Sequence, residues 1–172
     1  MKIIKGVVLI FSLLFIGLSC TIEKDKLTNE EARIICNEYE QLWVENNFEM
    51  AKEILDSTYT LLSPLFPDGI KGLDKLEEFI EDNSKMFSDF ALSIDSFYVK
   101  DNIIFSYWTI TGTNDGPIGE LPATCEEINI SGFAVSKVRN GKIYEDQTFW
   151  NVLEMYQQLG FQLIPPAAEV TS

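Results

Sequence analysis

Apolar residues recur at helical spacing in the first half of this chain and alternate, strand-like, in the second. Thr28-Asn29-Glu30-Glu31 forms a capping box, in which hydroxyl and carboxylate satisfy opening amides, and Ile34, Ile35, Tyr39, Leu42 and Trp43 follow on one face. The spacing predicts a helix from 29 to 46. Asn46-Asn47 interrupts it, and FEMAKEILDS offers a short second helix with Met50, Ile54 and Leu55 on one side. The β-prone run TYTLL is then stopped by Pro64 and Pro67, with Asp68-Gly69 marking a turn. Leu73, Leu76, Phe79, Ile80 and Phe87 predict a third helix. From Phe90 onward, segments 90–99, 103–113, 126–138 and 142–150 carry the alternation or the aromatic and β-branched enrichment of strands. Asp101-Asn102 and Asn140-Gly141 are the expected hairpin tips, and a brief helix from Val152 to Leu159 ends at Gly160. This order predicts an α+β domain: a curved, mainly antiparallel sheet packed on three N-terminal helices, with room for a cavity between them.

The 172 residues suffice for one sizeable core. With 12 Phe, 6 Tyr and 3 Trp, the chain has the apolar area that a disordered polypeptide lacks. A formal charge of −14 and no Lys/Arg cluster exclude a nucleic-acid partner, because phosphate binding needs a basic footprint. The sequence contains no histidine, which excludes Ser-His-Asp and Cys-His arrangements and histidine-based metal sites. Proton chemistry therefore falls to carboxylates or tyrosine. No metal is expected from the loop carboxylates: Asp115, Glu120, Glu126 and Glu127 lack the spacing of a calcium loop.

At the amino terminus, Lys2 and Lys5 precede the 13-residue apolar run Gly6 to Leu18, too short for an ordinary membrane span. The run ends in Leu18-Ser19-Cys20, which resembles the lipobox of bacterial lipoproteins, where the cysteine is acylated and becomes the first mature residue. An ordinary secretory leader with an incidental cysteine, or an uncleaved anchor, are the alternatives. The expected organisation is a leader over 1–20, a tether over 21–27, the domain over 28–160 and a tail over 161–172, lipid-anchored at Cys20 in the cell envelope. Cleavage leaves 11 basic and 27 acidic residues, a formal −16, so the membrane is met through the lipid only. Cys36 and Cys125 remain, either as a disulfide or as packed thiols.

Several pieces are similar, in order and spacing, to the SnoaL-like polyketide cyclases of the nuclear transport factor 2-like superfamily. These are Phe87-Ser88-Asp89-Phe90, Trp108-Thr109 before Gly112-Thr113, Gly116 with Pro122-Ala123-Thr124, Gly141-Lys142-Ile143 before Glu145, and Gln157-Gln158-Leu159-Gly160. The resemblance implies a cone-shaped α+β barrel around a largely apolar cavity, commonly dimeric, and an intramolecular aldol ring closure that needs no cofactor. It also implies an acid-base aspartate late in the final strand, and counting back from Gln157-Gln158-Leu159-Gly160 places that position at Asn151. An amide cannot exchange the proton. Ser63-Pro64 and Gly112-Thr113-Asn114 also depart from the His-Pro and Gly-Thr-His of many relatives.

Unbroken alternation through the last strand puts Ile143, Glu145, Gln147, Phe149 and Asn151 on one face, expected to line the cavity. Glu145 is the only acid in that set. It is the candidate base for removing a proton α to a carbonyl, with Tyr107, Gln147 or Asn151 donating to the enolate oxygen. The structural alternative is a hydrogen-bonded or half-exposed carboxylate. Ser63, Tyr107, Gln147 and Phe149 are the expected pocket residues, and the expected ligand is a small, mostly apolar organic molecule. An envelope protein-interaction module, its pocket filled by core side chains, is a third class.

Overall fold

Thr28 opens the first helix as its sequence requires: its Oγ1 accepts from the Glu31 amide at 3.2 Å, and the Thr28 amide donates back to Glu31 Oε2 at 2.9 Å. Helix α1 (Asn29–Glu45) ends at Asn46, whose left-handed backbone (φ 54°) stops the helix. It buries Ala32, Ile35, Cys36 and Leu42. A computed structural model describes residues 26–164; the leader, Cys20 and most of the tether and tail lie outside them. The remaining elements are α2 (Phe48–Ile54), β1 (Leu55–Ser63), β2 (Phe66–Lys71), α3 (Leu73–Met86), β3 (Ala91–Lys100), β4 (Ile103–Thr113), β5 (Glu127–Arg139), β6 (Lys142–Trp150) and α4 (Val152–Gln158). Among the described residues, the buried apolar core runs from Ala32 to Leu159. Among the described residues no helix is long and apolar enough to cross a membrane.

The six strands form one sheet in the order β2-β1-β6-β5-β4-β3. Every pairing is antiparallel except β1 with β6. The sheet is curved but stays unclosed, with β2 and β3 at its edges.

Strand β2 occupies the segment read from sequence as two prolines and a turn. It pairs Thr60 with Lys71, Leu61 with Ile70 and Ser63 with Phe66, and the chain reverses at Pro64-Leu65 instead. Pro67 is tolerated because β2 is an edge strand and the missing N–H costs no interior ladder bond. The hairpin at Asn140-Gly141 is as expected: both residues take positive φ, 54° and 79°.

Register breaks at Ile94/Ser96 in β3 and at Lys137/Val138 in the β5–β6 ladder mark bulges, which bend a sheet and increase its twist. The concave face receives the helices. One apolar cluster joins α1, α2 and α3 to β1 and neighbouring strands; a second gathers Phe87, Ile128, Ile130 and Leu159. The space between these clusters is the cavity described next.

Candidate functional site

Alternation along β4 sends Ile104, Ser106, Trp108 and Ile110 inward, and along β5 it sends Ile128, Ala134 and Ser136. Together with Tyr39 and Trp43 of α1, Phe79 and Met86 of α3, and Met155 of α4, they enclose a cavity of about 250 Å3. All three tryptophans of the chain, Trp43, Trp108 and Trp150, line it. Gly132 makes the Trp108 placement feasible. It lies directly opposite Trp108 in the β4–β5 ladder, and a Cβ there would sit 2.2 Å from the indole.

The inward face of β6 is not the predicted one. Pairing runs Arg139 to Lys142 and Val138 to Ile143, then Lys137 to Glu145, so Tyr144 is an extra residue. A one-residue bulge reverses the facing of everything beyond it. Ile143 stays inside, but Asp146, Thr148 and Trp150 line the cavity in place of Glu145, Gln147 and Phe149.

The expected site residues are therefore redistributed. Glu145 sits outside the cavity and accepts from Lys137 Nζ at 2.7 Å, a half-exposed ion pair. Gln147 is exposed, Phe149 is 46% and Tyr107 54% exposed, and both rings join Phe133 and Phe105 in an aromatic row on the convex face. Asn151 is the exposed N-cap of α4, its Oδ1 accepting from the Glu154 amide at 3.2 Å. Ser63 does line the cavity, and its Oγ accepts from Trp150 Nε1 at 3.3 Å.

The carboxylate that reaches the cavity wall is Asp146, 2% exposed. Its Oδ1 accepts from Ser136 Oγ at 2.7 Å and its Oδ2 from Tyr39 Oη at 3.0 Å. Because Tyr39 has spent its proton there, it is the acceptor in its 3.0 Å contact with the Tyr59 hydroxyl. Burial raises the Asp146 carboxyl to about 6, against the opposing pull of the Ser136 and Tyr39 hydrogen bonds. Burial, reinforced by the Asp146 charge, also holds the Tyr39 and Tyr59 hydroxyls well above the usual tyrosine range. Cys36 is pushed up to about 12 by burial and by the Glu40 and Asp146 charges. Trp43 Nε1 is buried beside Tyr39 with no hydrogen-bond partner among the described residues.

Asn114, noted in sequence only as a departure from the family pattern, is fully buried and clasps the loop between β4 and β5. Its Nδ2 donates to the Met86 and Gly116 carbonyls at 3.1 and 2.9 Å, while its Oδ1 accepts from the Thr124 amide and hydroxyl at 2.8 and 3.0 Å. Asp89 accepts from the Thr113 amide and hydroxyl, and Asp115 from those of Ser88, which holds both carboxyls below their ordinary range. Cys36 is a buried and Cys125 an exposed free thiol. Among the described residues no group of three or more Cys, Asp or Glu is placed to hold a metal ion.

The SnoaL-like polyketide cyclase family model matches residues 33–159. Among solved structures, TsrD from Streptomyces laurentii has a TM-score of 0.70 at 18% identity, covering 78% of this chain and 98% of that one. A candidate polyketide cyclase from Acidithiobacillus ferrooxidans scores 0.69 at 22% identity, covering 78% and 97%. AclR, a candidate hydroxylase from Streptomyces galilaeus, scores 0.67 at 17%, covering 81% and 87%. A search of curated proteins found no match.

Proposed function

The chain belongs to the SnoaL-like polyketide cyclase family, and from that premise we propose a lipid-anchored, ligand-binding member whose cavity takes one small, largely apolar organic molecule without the family's standard ring closure. The carrying observation is the position of Asn151: the residue that the family count assigns to the acid-base aspartate is an amide that caps α4 in solvent, while the cavity remains open and apolar. The isomerase alternative through Glu145 finds no support, since that carboxylate is outside the cavity and paired with Lys137. A cavity of about 250 Å3 also speaks against a module whose interior is merely filled.

Three cavity-lining tryptophans supply the test. N-phenyl-1-naphthylamine titrated into residues 21–172 is expected to quench tryptophan emission saturably, and Ala134→Trp, which fills the cavity, is expected to weaken binding at least tenfold. Absence of saturable quenching, or quenching indifferent to Ala134→Trp, would defeat the proposal.

Anchoring at Cys20 and residence in the cell envelope complete the proposal. They are supported by the order of charge, apolar run and cysteine in the leader, and are tested by labelled palmitate incorporation, which Cys20→Ala is expected to abolish. Self-association through the convex aromatic row of Phe105, Phe133, Phe149 and Tyr107 is the accompanying proposal. Sedimentation should show a dimer in the parent chain and a monomer for Phe133→Arg.

A further inference from the structure

Asp146 is a buried carboxylate without a cation. No Lys or Arg lines the cavity, and none of the ion pairs among the described residues includes it. The groups that face it are Cys36 and Tyr39 from α1, Tyr59 from β1 and Ser136 from β5. All are neutral. Glu40, the other charge that acts on Cys36, is of the same sign. Two hydroxyl donors leave the carboxylate with unused acceptor capacity, and a buried charge this poorly compensated is costly unless something else supplies the opposite sign.

The surroundings also fit a cation. Trp43 and Phe90 form one aromatic wall of the cavity, and Trp108 and Trp150 contribute others. Ring faces attract ammonium groups and give a desolvated cation a second favourable contact beyond the carboxylate. A formal charge of −14 adds a long-range field that concentrates cations at the surface. An anionic ligand would meet the opposite of all three effects.

Resting on the proposed ligand-binding cavity, we infer that its ligand class is an apolar amine: an ammonium group set against Asp146, on a ring-sized hydrophobic body held among Trp43, Trp108 and Trp150. Asp146 is then the specificity-determining residue, and Ser136 and Tyr39 orient its carboxylate.

Three probes of one shape separate this from the cavity reading itself: 2-naphthylmethylamine, 2-naphthalenemethanol and 2-naphthoate, each titrated into residues 21–172 by tryptophan quenching. At pH 8 the amine is expected to bind at least about tenfold more tightly than the alcohol, with the naphthoate weakest. Protonating a carboxyl raised to about 6 should weaken amine binding about tenfold at pH 5 while leaving the alcohol unmoved. Asp146→Asn should bring amine and alcohol together and remove the pH dependence, with alcohol binding retained. If that variant fails to fold, the pH series on the parent chain carries the same test.

Alcohol binding as tight as or tighter than the amine would overturn the amine assignment and leave the cavity proposal standing. An amine preference that survives Asp146→Asn, or that is flat from pH 8 to pH 5, would remove Asp146 from the role. Failure of all three probes to bind would overturn the cavity proposal and this inference with it.

Discussion

Ser136 stands directly across the β5–β6 ladder from Asp146 and donates to its Oδ1 at 2.7 Å. An unbroken ladder from the Arg139–Lys142 pair would have set Ser136 opposite Glu145 instead. The extra residue at Tyr144 exchanges one acid for the other: Glu145 goes out to Lys137, and Asp146 comes in beneath Tyr39. The chemistry available to the cavity is decided by this single bulge.

Asp146 makes stability fall as pH rises through a defined window. Its carboxyl titrates at about 6 in the folded protein and at about 4 when unfolded, so between these values the folded state holds the extra proton. The contribution is fully present below pH 4 and is lost by pH 7, a change of about 3 kcal/mol. Asp146→Asn cannot titrate. Urea unfolding of parent and variant is expected to show the variant gaining by about this amount, relative to the parent, between pH 4 and pH 7. A pH-independent difference would show that the buried acid is not titrating as described.

Gly132→Ala is expected to destabilise the domain by about 2 kcal/mol, within the range of overpacked cores. A methyl at that position meets the Trp108 ring at 2.2 Å, and rigid sheet on both sides leaves the indole as the group that must move. Thermal unfolding measures the loss, and a shift in tryptophan emission reports the displaced ring. An unchanged melting temperature would contradict the close approach.

Most of the fold was legible because local chemistry and tertiary context agree. The Thr28 box, the helical stripe of Ile35, Tyr39 and Leu42, and the Asn140-Gly141 turn each dictate their element wherever they are placed. Strand β2 was missed because Pro67 and Asp68-Gly69 are strand breakers by propensity, and only an edge position makes them acceptable; an edge is a property of the assembled sheet. The candidate site was less legible for a related reason. Period-two reasoning holds only while register holds, and nothing in Ile143-Tyr144-Glu145-Asp146 announces a bulge. Ser63 kept its expected place because it is fixed by its own strand, on the near side of the turn.

Asn114→Ala is expected to cost about 3 kcal/mol, a large effect for one small polar side chain. Truncation strands the Gly116 carbonyl and the Thr124 amide, which the 114–126 loop cannot readily expose to water, and leaves the Met86 carbonyl with the Gly116 amide as its remaining donor. Because that loop joins β4 to β5, amide exchange should accelerate at Thr124 and Cys125 before it does in either strand. Uniform acceleration across the sheet would indicate that the asparagine acts on global stability alone.

The two thiols should separate cleanly by reactivity. Cys36 is buried and pushed up to about 12, so it is held as an inert thiol, whereas Cys125 is exposed in the loop. Iodoacetamide at pH 8 on native residues 21–172 is expected to add a single adduct, mapped to Cys125 by peptide mass, with the second appearing only in denaturant. Rapid double labelling would mean that α1 opens readily from the sheet.

Glu145→Gln distinguishes the two faces of β6. The Lys137–Glu145 pair is half in solvent, where such pairs contribute about 0 to 1 kcal/mol, so the variant should unfold within that margin of the parent. Lys137 is raised by this contact, and losing it should return the amine toward its ordinary range, visible in a lysine-resolved NMR titration. Ligand binding should be untouched, because the side chain lies on the opposite side of the sheet from Asp146, Thr148 and Trp150. Weakened binding in Glu145→Gln would require Glu145 to reach the cavity, and would restore the unbroken alternation that the Tyr144 bulge replaces.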